Sequence, residues 1–398
     1  MTDNELFLLI LMLVMGLPWL IWRLLGDADQ APLVVVQIFV GVLLGPGVLG
    51  AAAPALHAQI FPPVAITMLN GIALWAVMLF VWLAGIELDL GAAWAARRDS
   101  WTASGLALLT PLALGSAAGW LILINPGWIG PKGEPWQAIL GIGMACAVTA
   151  LPILMLLMDR LAILRTPLGQ RVLRYASLDD IAIWAVLAII LLDWSRMERQ
   201  LGFICVFPVV AWAVRMAMRR LAEPERLRAS MVWLAAAGLA ADWAGLHFMV
   251  GAFLAGVILD QSWFDGAALD RLRDMLLLTV MPIFFLSTGL RTSWSIGGVD
   301  LIAVAALLLA ASVGGKLIGL RIAGHLLRWR QGEASVIGWL LQTKALIMII
   351  FVNILLDRGI ITGATFTALL LMAVASTMLT VPMVAPRLKR MAGLVERA

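Results

Sequence analysis

Two aspartates stand side by side in an apolar stretch: Asp179 and Asp180, between Tyr175 and Trp184. No further charge follows until Asp193. A carboxylate at bilayer depth costs roughly 2.5–3.5 kcal/mol on insertion scales. An adjacent pair therefore points to a proton or cation site. Neighbouring residues differ by about 100° around a helix, so one can line a cavity while the other meets a partner helix. Lys316, in Ser312-Val-Gly-Gly-Lys-Leu-Ile-Gly319, is the candidate partner. The glycines around it admit a close helix. A buried lysine shifts its pKa readily, and a buried Asp–Lys pair titrates as one unit. The plainer alternative is that Lys316 snorkels to an interface. Arg328, about 18 Å further along the helix, argues against that.

Two other stretches carry polar groups inside apolar runs. Gly141 to Pro152 holds two glycines, Thr149, Ala150 and the mid-span Pro152. Proline removes a backbone donor and clashes with the preceding turn. Leu340 to Leu346 contains Gln342, Thr343 and Lys344. Unwound backbone at bilayer depth is tolerated only where protein buries it or it lines a cavity. Thr149 and the carbonyls freed around it are oxygens, as hard monovalent cations require. With Asp180 and Asp179 it forms a candidate transient site for Na⁺ or K⁺. Lys344 is expected to neutralise the carbonyl ends of half-helices. An ordinary kink and a packing cluster are the plainer readings of the two stretches.

Membrane helices must position these groups. The 398 residues are 63% hydrophobic and 13% charged, with a mean hydropathy of +0.99. That excludes a soluble domain and predicts an all-α polytopic membrane protein. Apolar runs between charges predict about thirteen transmembrane helices: residues 4–25, 32–50, 63–86, 100–124, 135–158, 168–193, 201–220, 229–246, 248–260, 272–290, 297–324, 334–356 and 361–386. The start lacks a basic region and a small-residue cleavage site, so it reads as a true first helix. With an odd count, 21 of the 28 lysines and arginines fall on the side of the C-terminus. That bias predicts a cytoplasmic C-terminus and an outside N-terminus. Spans 1–6 and 8–13 form two sets of six, inverted in the membrane. The interrupted spans are the fifth of each set, a pattern that points to a transporter site. Asp180 falls near the midplane, about 20 Å of helix from Asp193.

The remaining polar residues read more blandly. Glu87 and Asp89 end the third span, where charge is cheap. Asp242 and His247 read as interfacial near the end of span eight. Cys146 and Cys205 fit no metal or disulfide spacing and read as small hydrophobes. The string Gly45-x-Gly47-x-x-Gly50 lacks a βαβ context, so a dinucleotide site is discarded. The pI near 9.6 reflects topology, not nucleic acid. No nucleophile–base set appears and no cofactor is implied, so an enzyme is not expected.

The chain resembles the monovalent cation:proton antiporters of the sodium/hydrogen exchanger superfamily, on the branch of bacterial Na⁺/H⁺ and K⁺-efflux antiporters. Its marks are Phe80 to Leu90, Ala147-Val-Thr-Ala-Leu-Pro-Ile153, and Leu164-Arg-Thr-Pro-Leu-Gly169 leading to Leu178-Asp-Asp-Ile181. Gly251 to Gly256, Met281 to Phe285 and the Lys316 segment follow in order. The resemblance implies crossed discontinuous helices beside the aspartates. It also implies a core transport domain at 99–195 and 295–398, a dimerisation domain at 1–98 and 225–294, and a linker helix at 196–224. Asp180 would bind the cation or proton, and Asp179 would pair with Lys316, which favours electrogenic exchange. The homodimer would sit in membrane lipid, by analogy the bacterial inner membrane. Family members commonly carry arginine and glycine where this chain has Lys344 and Ala345. The nucleotide-binding domain of many potassium-efflux relatives has no counterpart here, so such control would need a separate regulatory protein. The expected activity is exchange of protons for Na⁺ or K⁺. A cation channel or leak pathway, or a membrane cation or pH sensor subunit, are the alternatives.

Overall fold

The computed structural model describes residues 2–24, 33–86, 97–164, 166–192, 197–294 and 297–395. Among them the chain is helical, and the single β-bridge joins Ile129 to Ile361. The first helices are α1 (Asp3–Leu24), α2 (Leu33–Leu44), α3 (Leu49–Ala52), α4 (Pro54–Ile60), α5 (Pro63–Ile86) and α6 (Arg97–Leu123). Next come α7 (Pro135–Ala147), α8 (Leu151–Arg160), α9 (Pro167–Ile190), α10 (Met197–Arg220), α11 (Glu223–Trp243) and α12 (Phe248–Val257). The last are α13 (Gly266–Thr279), α14 (Met281–Leu290), α15 (Gly298–Leu326), α16 (Glu333–Leu340), α17 (Ala345–Asp357) and α18 (Gly363–Val395). Eight stretches among the described residues are long and apolar enough to cross a membrane.

The chain divides into two compact units. The first comprises Met1–Leu17, Ala55–Leu88 and Ala188–Ser287, as far as these are described. Its centre is α5 against the hairpin of α11 and α12. A Cβ on Gly85 would meet the Phe253 carbonyl, and one on Gly251 would overlap Ala237, so only glycine allows these backbones to approach. Gly245, at φ 88°, makes the hairpin turn. His247 is buried, and its Nδ1 accepts from the Met249 amide at 3.4 Å. It caps α12 rather than lying at an interface, as its neighbours suggested. At ten residues, or about 15 Å, α12 is shorter than the span expected there. Helix α10 turns Leu201, Ile204, Val209 and Trp212 outward, as a lipid-facing helix does.

The second unit takes Pro18–Pro54, Asp89–Leu187 and Thr288–Ala398, with the same proviso. Helices α6 and α15 pack closely through small residues. A Cβ on Gly315 would collide with Pro111, and one on Gly319 with Leu106. Thr110 Oγ1 donates to the Gly315 carbonyl at 2.8 Å. Gly143 of α7 lies equally close to Ser116 of α6. Helix α2 belongs to this unit: Gly45, at its end, meets Gly289 backbone to backbone. The loops before α7 and before α18 are tied together. The Gly130 amide donates to the Ile360 carbonyl at 2.9 Å, and that of Lys132 to Gly359 at 3.0 Å. Helix α18 runs past Pro382 and Pro386 to Val395, well beyond the end expected from its apolar run.

Candidate functional site

Both interrupted spans are broken helices. The first unwinds at residues 148–150, between α7 and α8, and the second at 341–344, between α16 and α17. Pro152 lies just past the first break, as the second residue of α8. There a helix has no internal partner for the missing donor. The two breaks touch: the Ala150 amide donates to the Thr343 carbonyl at 2.6 Å.

A helix that stops leaves carbonyls without partners and a partial negative charge at its C-terminus. At the end of α7 two lysines meet them. Lys344 Nζ donates to the carbonyls of Cys146, at 2.6 Å, and Val148, at 3.0 Å. Lys316 Nζ donates to the Ala147 carbonyl at 2.5 Å. Ser312 Oγ adds a bond to the Cys146 carbonyl at 2.9 Å. Both lysines are fully buried.

The second contact of Lys316 is Asp179, whose Oδ2 accepts from Nζ at 2.9 Å. Thr149 Oγ1 also reaches Asp179 Oδ2, at 2.7 Å, and the Leu341 carbonyl, at 2.9 Å. A hydroxyl carries one proton, so it serves one acceptor at a time. Asp179 is 1% exposed, and its Oδ1 is buried with no partner among the described residues. That oxygen is an acceptor available to a proton or a cation.

Gln342 braces the second break. Its Oε1 lies 3.3 Å from Ser312 Oγ and 3.1 Å from Ser376 Oγ, and its Nε2 donates to the Ser312 carbonyl at 3.3 Å. Thr343 Oγ1 bonds back to the Leu340 carbonyl at 2.9 Å. The structure thus brings Asp179, Lys316, Thr149, Ala150, Gln342, Thr343 and Lys344 to one crossing. Asp180 follows Asp179 on α9, but its side chain lies outside the described residues, as does that of Pro152. Glu87 and Asp89 lie outside them entirely. Among the described residues no cluster of three or more His, Cys, Asp or Glu could hold a metal ion.

Sequence reasoning missed a second polar cluster. Tyr175, one turn before Asp179, donates to Asp99 Oδ2 at 2.6 Å. Arg171 pairs with Glu333 at 3.2 Å and lies 4.8 Å over the Trp329 ring. Tyr175 stacks on that ring at 6.0 Å. The signal was the chain's lone tyrosine, beside Arg174 and one turn from the aspartates.

Two touching broken helices beside a buried ion pair are an arrangement that points to a transporter site. The model of the transmembrane sodium/hydrogen exchanger family matches residues 9–390. The chain belongs to that family, which is one of transporters and not of enzymes, and is an integral multi-pass membrane protein. It is 30% identical over 377 residues to cation/H⁺ antiporter 18 of Arabidopsis thaliana, covering 89% of this chain and 46% of that protein. It is 27% identical to the Na⁺/H⁺ antiporter NhaS4 of Synechocystis, covering 96% of this chain and 98% of that one. The chain therefore spans about half the length of the plant relative and nearly all of the cyanobacterial one. The fold is similar to that of the sodium proton antiporter MjNhaP1 from Methanocaldococcus jannaschii, with a TM-score of 0.64 at 13% identity. That match covers 97% of this chain and all of the other.

Proposed function

We propose that the protein is a secondary antiporter that exchanges protons for Na⁺ or K⁺. The observation that carries this reading is the buried Asp179–Lys316 pair, set against the carbonyls of a broken helix. The names of the relatives support it. Asp180 holds proton and cation in turn, and their competition for one carboxylate couples the two fluxes. Asp179 stays with Lys316 and sets the field around the carrier. Thr149 contributes a hydroxyl, and Gln342, Thr343 and Lys344 keep the breaks open without stranded carbonyls. By resemblance to the family, Asp179 paired with Lys316 favours electrogenic exchange of more protons than cations.

In this reading residues 99–195 and 295–398 form the moving core. Residues 1–98 and 225–294 form the dimerisation domain of a homodimer, joined by the helix at 196–224. The charge bias supports a cytoplasmic C-terminus and an outside N-terminus, and by analogy the membrane is a bacterial inner membrane. Exchange after a pH jump in proteoliposomes tests the function. Proton efflux is expected only with Na⁺ or K⁺ opposite, and it should respond to an imposed potential. Cation flux without proton counter-movement would show a channel instead.

A further inference from the structure

Helix α15 ends at Leu326, and a turn leads into α16 at Glu333. A cavity of about 680 Å³ opens there, lined by Arg321, His325, Arg328, Trp329 and Arg330 among others. All four basic side chains are exposed. The nearest acid in sequence, Glu333, is taken by Arg171. Among the described residues the cavity therefore gathers basic side chains with no carboxylate in its lining. Trp329 Nε1 is buried with no acceptor among the described residues.

Beside the cavity runs an apolar stripe. Ile318, Ile322 and Leu326 are 46%, 42% and 63% exposed, and their spacing of four puts them on one face of α15. A cationic cavity at the end of a lipid-facing stripe matches one kind of molecule. An anionic lipid would lay an acyl chain along Ile318, Ile322 and Leu326 and set its phosphate among the guanidinium groups of the cavity. A free anion would use the cavity and leave the stripe bare. A zwitterionic headgroup would bring a cation to a cationic site. The charge bias puts this end in the cytoplasmic leaflet, where anionic lipids draw basic segments.

We propose that the cavity at the α15–α16 turn is a binding site for the headgroup of an anionic phospholipid. The site also touches the transport machinery. The Trp329 ring that lines it stacks on Tyr175 and lies under Arg171, both on the aspartate-bearing helix α9. A bound headgroup steadies Trp329, and through it that end of α9.

The test compares purified full-length protein in nanodiscs of phosphatidylglycerol and of phosphatidylcholine. Lipid binding by native mass spectrometry and thermal unfolding are read together, so neither depends on transport. The wild type should retain phosphatidylglycerol and unfold at a higher temperature in it. Each cationic group near a membrane surface is worth roughly fivefold in affinity. The triple variant Arg321→Gln/Arg328→Gln/Arg330→Gln should therefore bind phosphatidylglycerol roughly a hundredfold more weakly and lose the thermal shift. A triple lysine variant, which keeps the charge, should retain both. If the glutamine variant fails to fold, the single variants Arg321→Gln and Arg330→Gln carry the test and should each show a partial loss. Equal binding by the glutamine variants and the wild type would overturn the proposal. So would a thermal shift in phosphatidylcholine produced by inorganic phosphate alone, which would mark a free-anion site.

Discussion

Both interrupted spans unwind where they touch, but their freed carbonyls meet different donors. At the first break the carbonyls of Cys146, Ala147 and Val148 are met by two ammonium groups, Lys316 and Lys344. At the second the carbonyls of Leu341, Gln342 and Thr343 are met by neutral donors: Thr149 Oγ1, Ser376 Oγ and the Ala150 amide. Both lysines come from the second half of the chain and Asp179 from the first, so the second half supplies positive charge beside a carboxylate of the first. Hydrogen bonds to charged groups are worth about 1.5–3 kcal/mol, against about 0.5–1.5 for neutral ones. The first break therefore depends on particular charges, whereas the second rests on several replaceable contacts.

Removing the donors one at a time should expose this asymmetry. Lys316→Met has the largest expected effect. It leaves Asp179 charged and buried, at a cost of roughly 3–5 kcal/mol, seen as a fall in thermal stability in detergent. Adding Asp179→Asn should recover most of that loss; a double variant no better than the single would break the pairing. Lys344→Met comes next, at about 2–3 kcal/mol, because two carbonyls lose a charged donor. Lys344→Arg should lose much less. Thr149→Val should cost about 1–2 kcal/mol and weaken the apparent affinity for the cation, while Thr149→Ser restores both. Ser312→Ala should cost least, about 0.5–1.5 kcal/mol, since Lys344 still serves the Cys146 carbonyl. A Ser312→Ala loss larger than that of Lys344→Met would reverse the comparison between charged and neutral donors.

Much of the crossing was legible because polar residues inside apolar runs are conspicuous. Asp179, Lys316, Thr149 and the Gln342-Thr-Lys344 cluster each violate their surroundings, and the structure brings them together. The glycines flanking Lys316 signalled a close helix, and α6 is that helix. Backbone partners were not legible. Cys146 reads as a small hydrophobe, yet its carbonyl, shared by Lys344 and Ser312, is what the break uses. Pattern alone could not show that Arg171, Tyr175, Asp99, Trp329 and Glu333 meet, because they come from separate segments and each sits near a charged loop. Nor could it show that His247 is a buried cap, or that α2 packs in the unit of the crossing through Gly45 and Gly289.

In the proposed mechanism Asp180 is the exchanging carboxylate, and Asp179 is held by Lys316. The most direct measurement is proton-coupled Na⁺ and K⁺ exchange in proteoliposomes for Asp180→Asn beside the wild type, with equal reconstitution verified for both. The wild type should move protons when a cation it accepts is supplied opposite, and the variant should move neither proton nor cation. Exchange by Asp180→Asn at the wild-type rate would contradict that mechanism.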